Sequence, residues 1–171
     1  MGELVSHPLI PSHSQVAAVC SKGDIASIAS SVTHIIVSSN CANDASLFLL
    51  DFSRFVSVRR IIVGDESLMY VNEMKMIGLS GLESVEIRKN SFTKYMNTWE
   101  ITSDPNRHFY LKNCPKLKSL KMGRYSFSDY SVCEIENVDA LEVIEMGDVN
   151  EESYNFLYAS LELKSILIHN E

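Results

Sequence analysis

The side chains best suited to bind a metal or move a proton are five histidines, His7, His13, His34, His108 and His169. None falls in an H-x-x-x-H pairing, the spacing that brings two ligands together on one face of a helix, and the one H-x-E, His169-Asn170-Glu171, has no C-x-x-C to complete a metal site. The seven glycines form no G-x-S-x-G elbow, no phosphate-binding P-loop and no G-x-G-x-x-G fingerprint. Four cysteines, Cys20, Cys41, Cys114 and Cys133, include no C-x-x-C pair. That leaves no redox dithiol motif, and four in 171 residues is too sparse for a disulfide framework, so reduced thiols and an intracellular, cytoplasmic setting are expected. Cys114 and Cys133 fall in inward-facing apolar columns, where a thiol acts as a small hydrophobe and not as a nucleophile. A non-enzyme is expected, with no cofactor and no metal.

Chemistry of recognition is better represented. The only tryptophan, Trp99, lies with Tyr95, Arg107 and His108 in a stretch that lengthens one sequence repeat from 24 to 35 residues. Inserted loops often carry binding, and exposed Trp and Arg are favoured anchors of interfaces. The competing expectation is that Trp99 packs down and seals the insertion.

These residues need a scaffold, and the scaffold is periodic. Leu117-Lys118-Ser119-Leu120-Lys121-Met122-Gly123 returns 24 residues later as Leu141-Glu142-Val143-Ile144-Glu145-Met146-Gly147. Earlier copies begin at Val58 and Leu82, and weaker ones at Val32 and Leu163, which makes six. Each carries three apolar anchors in the order L-x-x-L-x-L, the last two spaced to share one face of a strand. Ahead of most copies runs a second alternating segment, as in Leu50-x-Phe52-x-x-Phe55, Met74-x-Met76-x-x-Leu79, Phe109-x-Leu111-x-x-Cys114 and Cys133-x-Ile135-x-x-Val138. Period two predicts another short strand on an opposite wall. Asn40 and Asn90 close two copies, where an Asn amide can bond turning backbone, while Glu66, Tyr125 and Val149 stand there in others. One short helix is expected over 24–31, capped by Asp24.

The run Phe109 to Met122, with Ser126-Phe127 after it, resembles the BspA-like subclass of leucine-rich repeats, whose theme is A/S-F-x-x-C-x-x-L-x-x-I-x-I. The resemblance covers roughly 29–169. It implies a mainly β fold, a right-handed leucine-rich-repeat β-solenoid of about six coils with short strands on two walls. It also implies an interaction or cell-surface adhesion role without catalytic residues. Here Gly64, Gly123 and Gly147 follow the strand where a Pro often stands in the subclass. The expected organisation is a possible N-terminal cap over 1–28 and a solenoid over 29–171, with an insertion near 95–108.

Between the anchors, two columns should face outward. They read His34, Arg60, Ser84, Ser119, Val143, Ser165 and Ile36, Ile62, Glu86, Lys121, Glu145, Leu167. Of these, Ile36, Ile62, Arg60, Glu86, Lys121 and Glu145 join the insertion residues as candidate binding positions, the two isoleucines as an apolar spot. Beside them Thr33, Arg59, Glu83, Lys118, Glu142 and Lys164 alternate in sign from Arg59 onward, as a register ladder would. The net charge of −7 gives no general basic footprint for nucleic acid, and no stretch approaches the 18 apolar residues of a membrane span. A protein partner is therefore expected. The alternative is structural assembly, because Leu167 and Ile168 would lie at an exposed rim prone to edge-mediated self-association.

Overall fold

In the computed structural model, residues 15–165 are described, and they form a mainly β protein with almost no helix. The strands are β1 (Val16–Val19), β2 (His34–Val37), β3 (Leu49–Asp51), β4 (Arg60–Val63), β5 (Glu73–Ile77) and β6 (Ser84–Ile87). They continue as β7 (Asp104–Lys112), β8 (Ser119–Met122), β9 (Tyr130–Glu136), β10 (Val143–Met146) and β11 (Ser160–Lys164). Among the described residues one helix, α1 (Lys22–Ser27), is present, and it joins β1 to β2.

Two all-parallel sheets result. One has six strands in the order β1-β2-β4-β6-β8-β10 and the other five in the order β11-β9-β7-β5-β3. From β2 on, the chain alternates between them. Their inward side chains make one shared core, including Ile35, Ile61, Val85 and Leu120 from the first sheet and Leu50, Met74, Phe109 and Cys133 from the second.

This corrects the expected leucine-rich-repeat solenoid. Repeats of that kind oppose one strand wall with helical or 3₁₀ segments. In this chain the second wall, expected as short strands, is a full parallel sheet of five strands facing another of six, a two-sheet arrangement unlike that of such repeats. The cause lies in segments such as Leu50-x-Phe52 and Met74-x-Met76, whose period-two apolar residues are 0–2 % exposed and hold the backbone extended against the core.

The last repeat is corrected as well. Leu163 does not open a sixth strand of the first sheet, because it pairs with Ile135 inside β11, in the five-stranded sheet. Leu161-x-Leu163 thus continues the Cys133-x-Ile135 column. Ser165 consequently leaves the expected outward column, and its hydroxyl meets Asp139. Lys164 likewise stands beside Glu136 and Glu162 and not in line with Glu142. Leu167 and Ile168 lie outside the described residues, as does the part of the expected cap before residue 15. At the other end, the six-stranded sheet gains β1, which pairs with β2. The helix is capped by Ser21 and not Asp24. The Ser21 hydroxyl accepts from the Asp24 N–H while the Asp24 carboxylate accepts from the Ser21 N–H, a reciprocal capping box.

Turns after the six-stranded sheet repeat with little variation. Asn40-Cys41-Ala42, Glu66-Ser67-Leu68, Asn90-Ser91-Phe92, Tyr125-Ser126-Phe127 and Tyr154-Asn155-Phe156 each place left-handed residues on both sides of a central one, with φ from 49° to 64°. Non-glycine residues resist this conformation by about 1–2 kcal/mol each. Hydrogen bonds between successive turns offset that cost. Cys41 N–H donates to Ser67 Oγ, Ser67 N–H to Ser91 Oγ and Ser91 N–H to Ser126 Oγ, at 3.1–3.3 Å. A buried serine column thus bonds the turning backbone from one coil to the next. Val149 has no part in it, because 148–152 loops out and leaves Val149 fully exposed, with Tyr154 at the equivalent site. The turns also stack closely enough that a Cβ at Gly64 would collide with the Ser39 backbone nitrogen, and one at Gly123 with that of Lys89.

Candidate functional site

Strand register decides what the outer face of the six-stranded sheet presents. His34, Arg60, Ser84, Ser119 and Val143 align as one row, and Ile36, Ile62, Glu86, Lys121 and Glu145 as the next. The parallel ladder therefore brings together five members of each expected column. Ile36 and Ile62 are half-buried in adjoining strands. Glu86 lies 3.5 Å from Arg60 and 3.3 Å from Arg88, and Lys121 lies 3.0 Å from Glu145.

At the C-terminal ends of these strands the face deepens into a groove of about 530 Å³. Glu86, Lys121 and Glu145 line its sheet side, with Arg88, Lys89, Arg124, Asp148 and Glu151 from the turns beyond. Arg124 is held by Glu151 at 2.5 Å and stacks over Tyr125 at 4.8 Å. The Lys89 ammonium has no ion-pair partner among the described residues. Both signs thus occur within one concave site, an arrangement suited to a ligand with several charges and poorly suited to a purely anionic one.

The inserted segment borders this groove through Asn97, whose side chain meets Asn90 at 3.2 Å. Two residues on, Trp99 is 76 % exposed, so it does not seal the insertion. Tyr95 is half-buried, its hydroxyl bonded to Thr102. The insertion is tied down at its far side, where Tyr158 donates to Ile101 O at 2.9 Å and Lys94 pairs with Asp104 at 3.7 Å.

Two expected binding residues lie elsewhere. Arg107, expected at a binding surface, is wholly buried inside the fold. Its guanidinium is held by Asp129 at 2.7 Å and by two backbone carbonyls, so no partner can reach it. His108 sits on the outer face of the five-stranded sheet, bonded to Pro105 O at 2.8 Å and Tyr110 at 3.1 Å. Along that face Lys112 stands 2.5 Å from Glu134, which raises the Lys112 pKa, while burial and the Glu134 charge raise that of Tyr110. The groove residues that spacing did not single out include Arg88, Lys89, Arg124 and Asp148, which lie one or two residues past the end of a strand. Their signal was present in the dipeptides after the third anchor.

Cys114 and Cys133 are free and buried, and burial raises both thiols, Cys133 to about 12. Neither has the electropositive, accessible setting of a reactive thiolate. Cys20 and Cys41, by contrast, form a disulfide, which corrects the expectation of reduced thiols for that pair. Among the described residues no cluster of three or more His, Cys, Asp or Glu is placed to hold a metal ion, and no helix is long and apolar enough to cross a membrane. The chain matches no family model, no curated protein and no solved structure.

Proposed function

We propose that this protein is a non-catalytic interaction scaffold that binds a protein partner on the outer face of its six-stranded sheet, using the groove and the inserted loop beside it. The observation that carries this reading is Trp99, held 76 % exposed two residues from the groove-lining Asn97. A large apolar ring in water stabilises nothing in the isolated chain, whereas covering it contributes strongly to an interface. Glu86, Lys121 and Glu145 supply polar contacts that fix register and orientation.

The test is affinity capture with the intact chain, mass-spectrometric identification of the bound protein, and titration of that protein against variants. Trp99→Ala is expected to weaken binding about tenfold or more, and Glu86→Lys to weaken it and change its salt dependence. A partner bound equally by wild type and both variants would place the contact on another surface.

A second reading, structural assembly, is favoured by one observation. Leu161 and Leu163 are 51 % and 57 % exposed, although their neighbours Cys133 and Ile135 in the same columns are 0–1 % exposed. An apolar column laid open at a sheet edge is a surface for association.

A further inference from the structure

The Cys20–Cys41 disulfide occupies a particular place in the turn column. Cys41 is the central residue of its turn, equivalent to Ser67, Ser91 and Ser126. In the interior of the column each serine hydroxyl accepts from the central N–H of the preceding turn and donates back to a backbone carbonyl of that coil, so the contact is made of hydrogen bonds. At the N-terminal end the same place is taken by a covalent bond to Cys20. Cys20 also stands in for the central residue of a preceding turn. The Ala42 N–H donates to Cys20 O at 2.7 Å, as the Leu68 N–H donates to Cys41 O and the Phe92 N–H to Ser67 O.

The segment fastened this way, β1 and α1, has few other ties. No residue of α1 is buried, and only Val19 and Ile28 from this region reach the core at under 10 % exposure. Lys22 reaches Ser46, and Arg54 reaches Ile25 O, both at exposed positions. The rest of the hold is the four-residue ladder between β1 and β2, the bonds that Thr33 and His34 give to Gln15 O beside it, and the partial packing of Ala17 and Ile25 on the core. Cys20 is the exposed end of the disulfide and the side from which a reductant would approach, while Cys41 is 7 % exposed.

We propose that Cys20–Cys41 is a redox latch on an N-terminal flap, and that its reduction by a dithiol frees β1 and α1 to lift from β2. A thiolate of the dithiol attacks the Cys20 sulfur, forms a mixed disulfide and expels Cys41 as a thiolate, which takes a proton. The second thiolate of the reductant closes its own disulfide and releases Cys20, also protonated. Two electrons pass, one protein disulfide is reduced and one dithiol is oxidised. Lifting the flap uncovers the edge of β2 next to Ile36 and Ile62, an unpaired row of backbone donors and acceptors able to accept another strand. The rest of the fold stays closed, because the remaining turns are joined by backbone as well as serine hydrogen bonds and pack Phe92 and Phe127 into the shared core.

Hydrogen exchange of the full chain, read residue by residue by NMR with and without dithiothreitol, tests this. The Ser38 and Ala42 amides donate across the flap boundary, to Val19 O and Cys20 O. They are expected to exchange at least tenfold faster after reduction, with Phe92 and Phe127 unchanged, and to recover when the disulfide is re-formed with oxidised dithiothreitol. The Cys20→Ser/Cys41→Ser variant, which puts at position 41 the residue found in the interior turns, is expected to match the reduced chain. Equal exchange in both states, acceleration spread evenly through Phe92 and Phe127, or failure of the bond to re-form would each overturn the latch.

Discussion

Arg107 Nη1 lies 2.7 Å from Asp129 Oδ2, and both side chains are at most 1 % exposed. The guanidinium also donates to Met69 O and Val71 O at 2.8 Å and sits over the Tyr130 ring at 4.8 Å. This pair pins the start of β7, where the bulge between Asp104 and His108 returns the chain from the insertion to the sheet.

Removing one member of the pair leaves a buried charge without its partner. Arg107→Met or Asp129→Leu alone is expected to cost about 3–5 kcal/mol in urea denaturation. The double variant should cost less than the sum, because it leaves no lone charge. Additive losses would show that the two groups act independently.

The outward charge ladder should matter far less. Arg59 and Glu83 are 3.8 Å apart, with side chains 63 % and 53 % exposed. Glu83→Lys places three like charges in line with Arg59 and Lys118, and a loss of about 1 kcal/mol or less is expected. Adding Arg59→Glu should recover part of it. No recovery would mean that side chains aligned by the backbone do not interact across it.

Trp99 offers an optical readout, being the only tryptophan. Its emission should be red-shifted and readily quenched by acrylamide in the free protein, and protected when a partner covers it. Trp99→Ala should change unfolding stability by no more than about 0.5 kcal/mol, as exposed positions do. A blue-shifted, unquenched signal in the free chain would contradict an exposed ring.

Alkaline pH should destabilise the fold. Burial raises the Cys133 thiol from 9.0 to about 12, and burial raises Tyr130 in the same direction. Between pH 9 and 12 the unfolded chain releases the Cys133 proton while the folded chain keeps it. The stabilisation from this thiol is therefore complete below pH 9 and is lost as pH rises, by about 1.4 kcal/mol per pH unit. Urea midpoints measured from pH 8 to 11 should fall, and Cys133→Ala should flatten the slope.

Exposed apolar columns at the β11 edge predict association. Light scattering across a concentration series is expected to show mass rising with concentration, and Leu163→Lys to suppress the rise by placing a charge in the open column. A constant mass in both proteins would remove the support for assembly.

Much of this architecture was written locally. Side chains that alternate every second residue state which face of a strand is buried, whatever the strand pairs with. The columns through Ile35, Ile61, Val85, Leu120 and Ile144 were therefore legible in the chain, and with them the outward rows holding Ile62, Glu86 and Lys121. The lengthened repeat announced a loop.

Tertiary structure decided what a local pattern leaves degenerate. Leu163-x-x-Ile166 reads as the start of one wall, and Leu161-x-Leu163-x-x-Ile166 equally as the other. Only pairing with Ile135, 28 residues back, assigns Leu163 to the five-stranded sheet. An arginine next to an exposed loop looks like a surface residue until Asp129, 22 residues on, closes over it and makes its burial affordable. Cys20 and Cys41 meet because β1 and β2 pair in register, which places successive turns side by side. In each case the deciding contact joins residues 20 or more apart in the chain, whereas period and propensity act over a few neighbours.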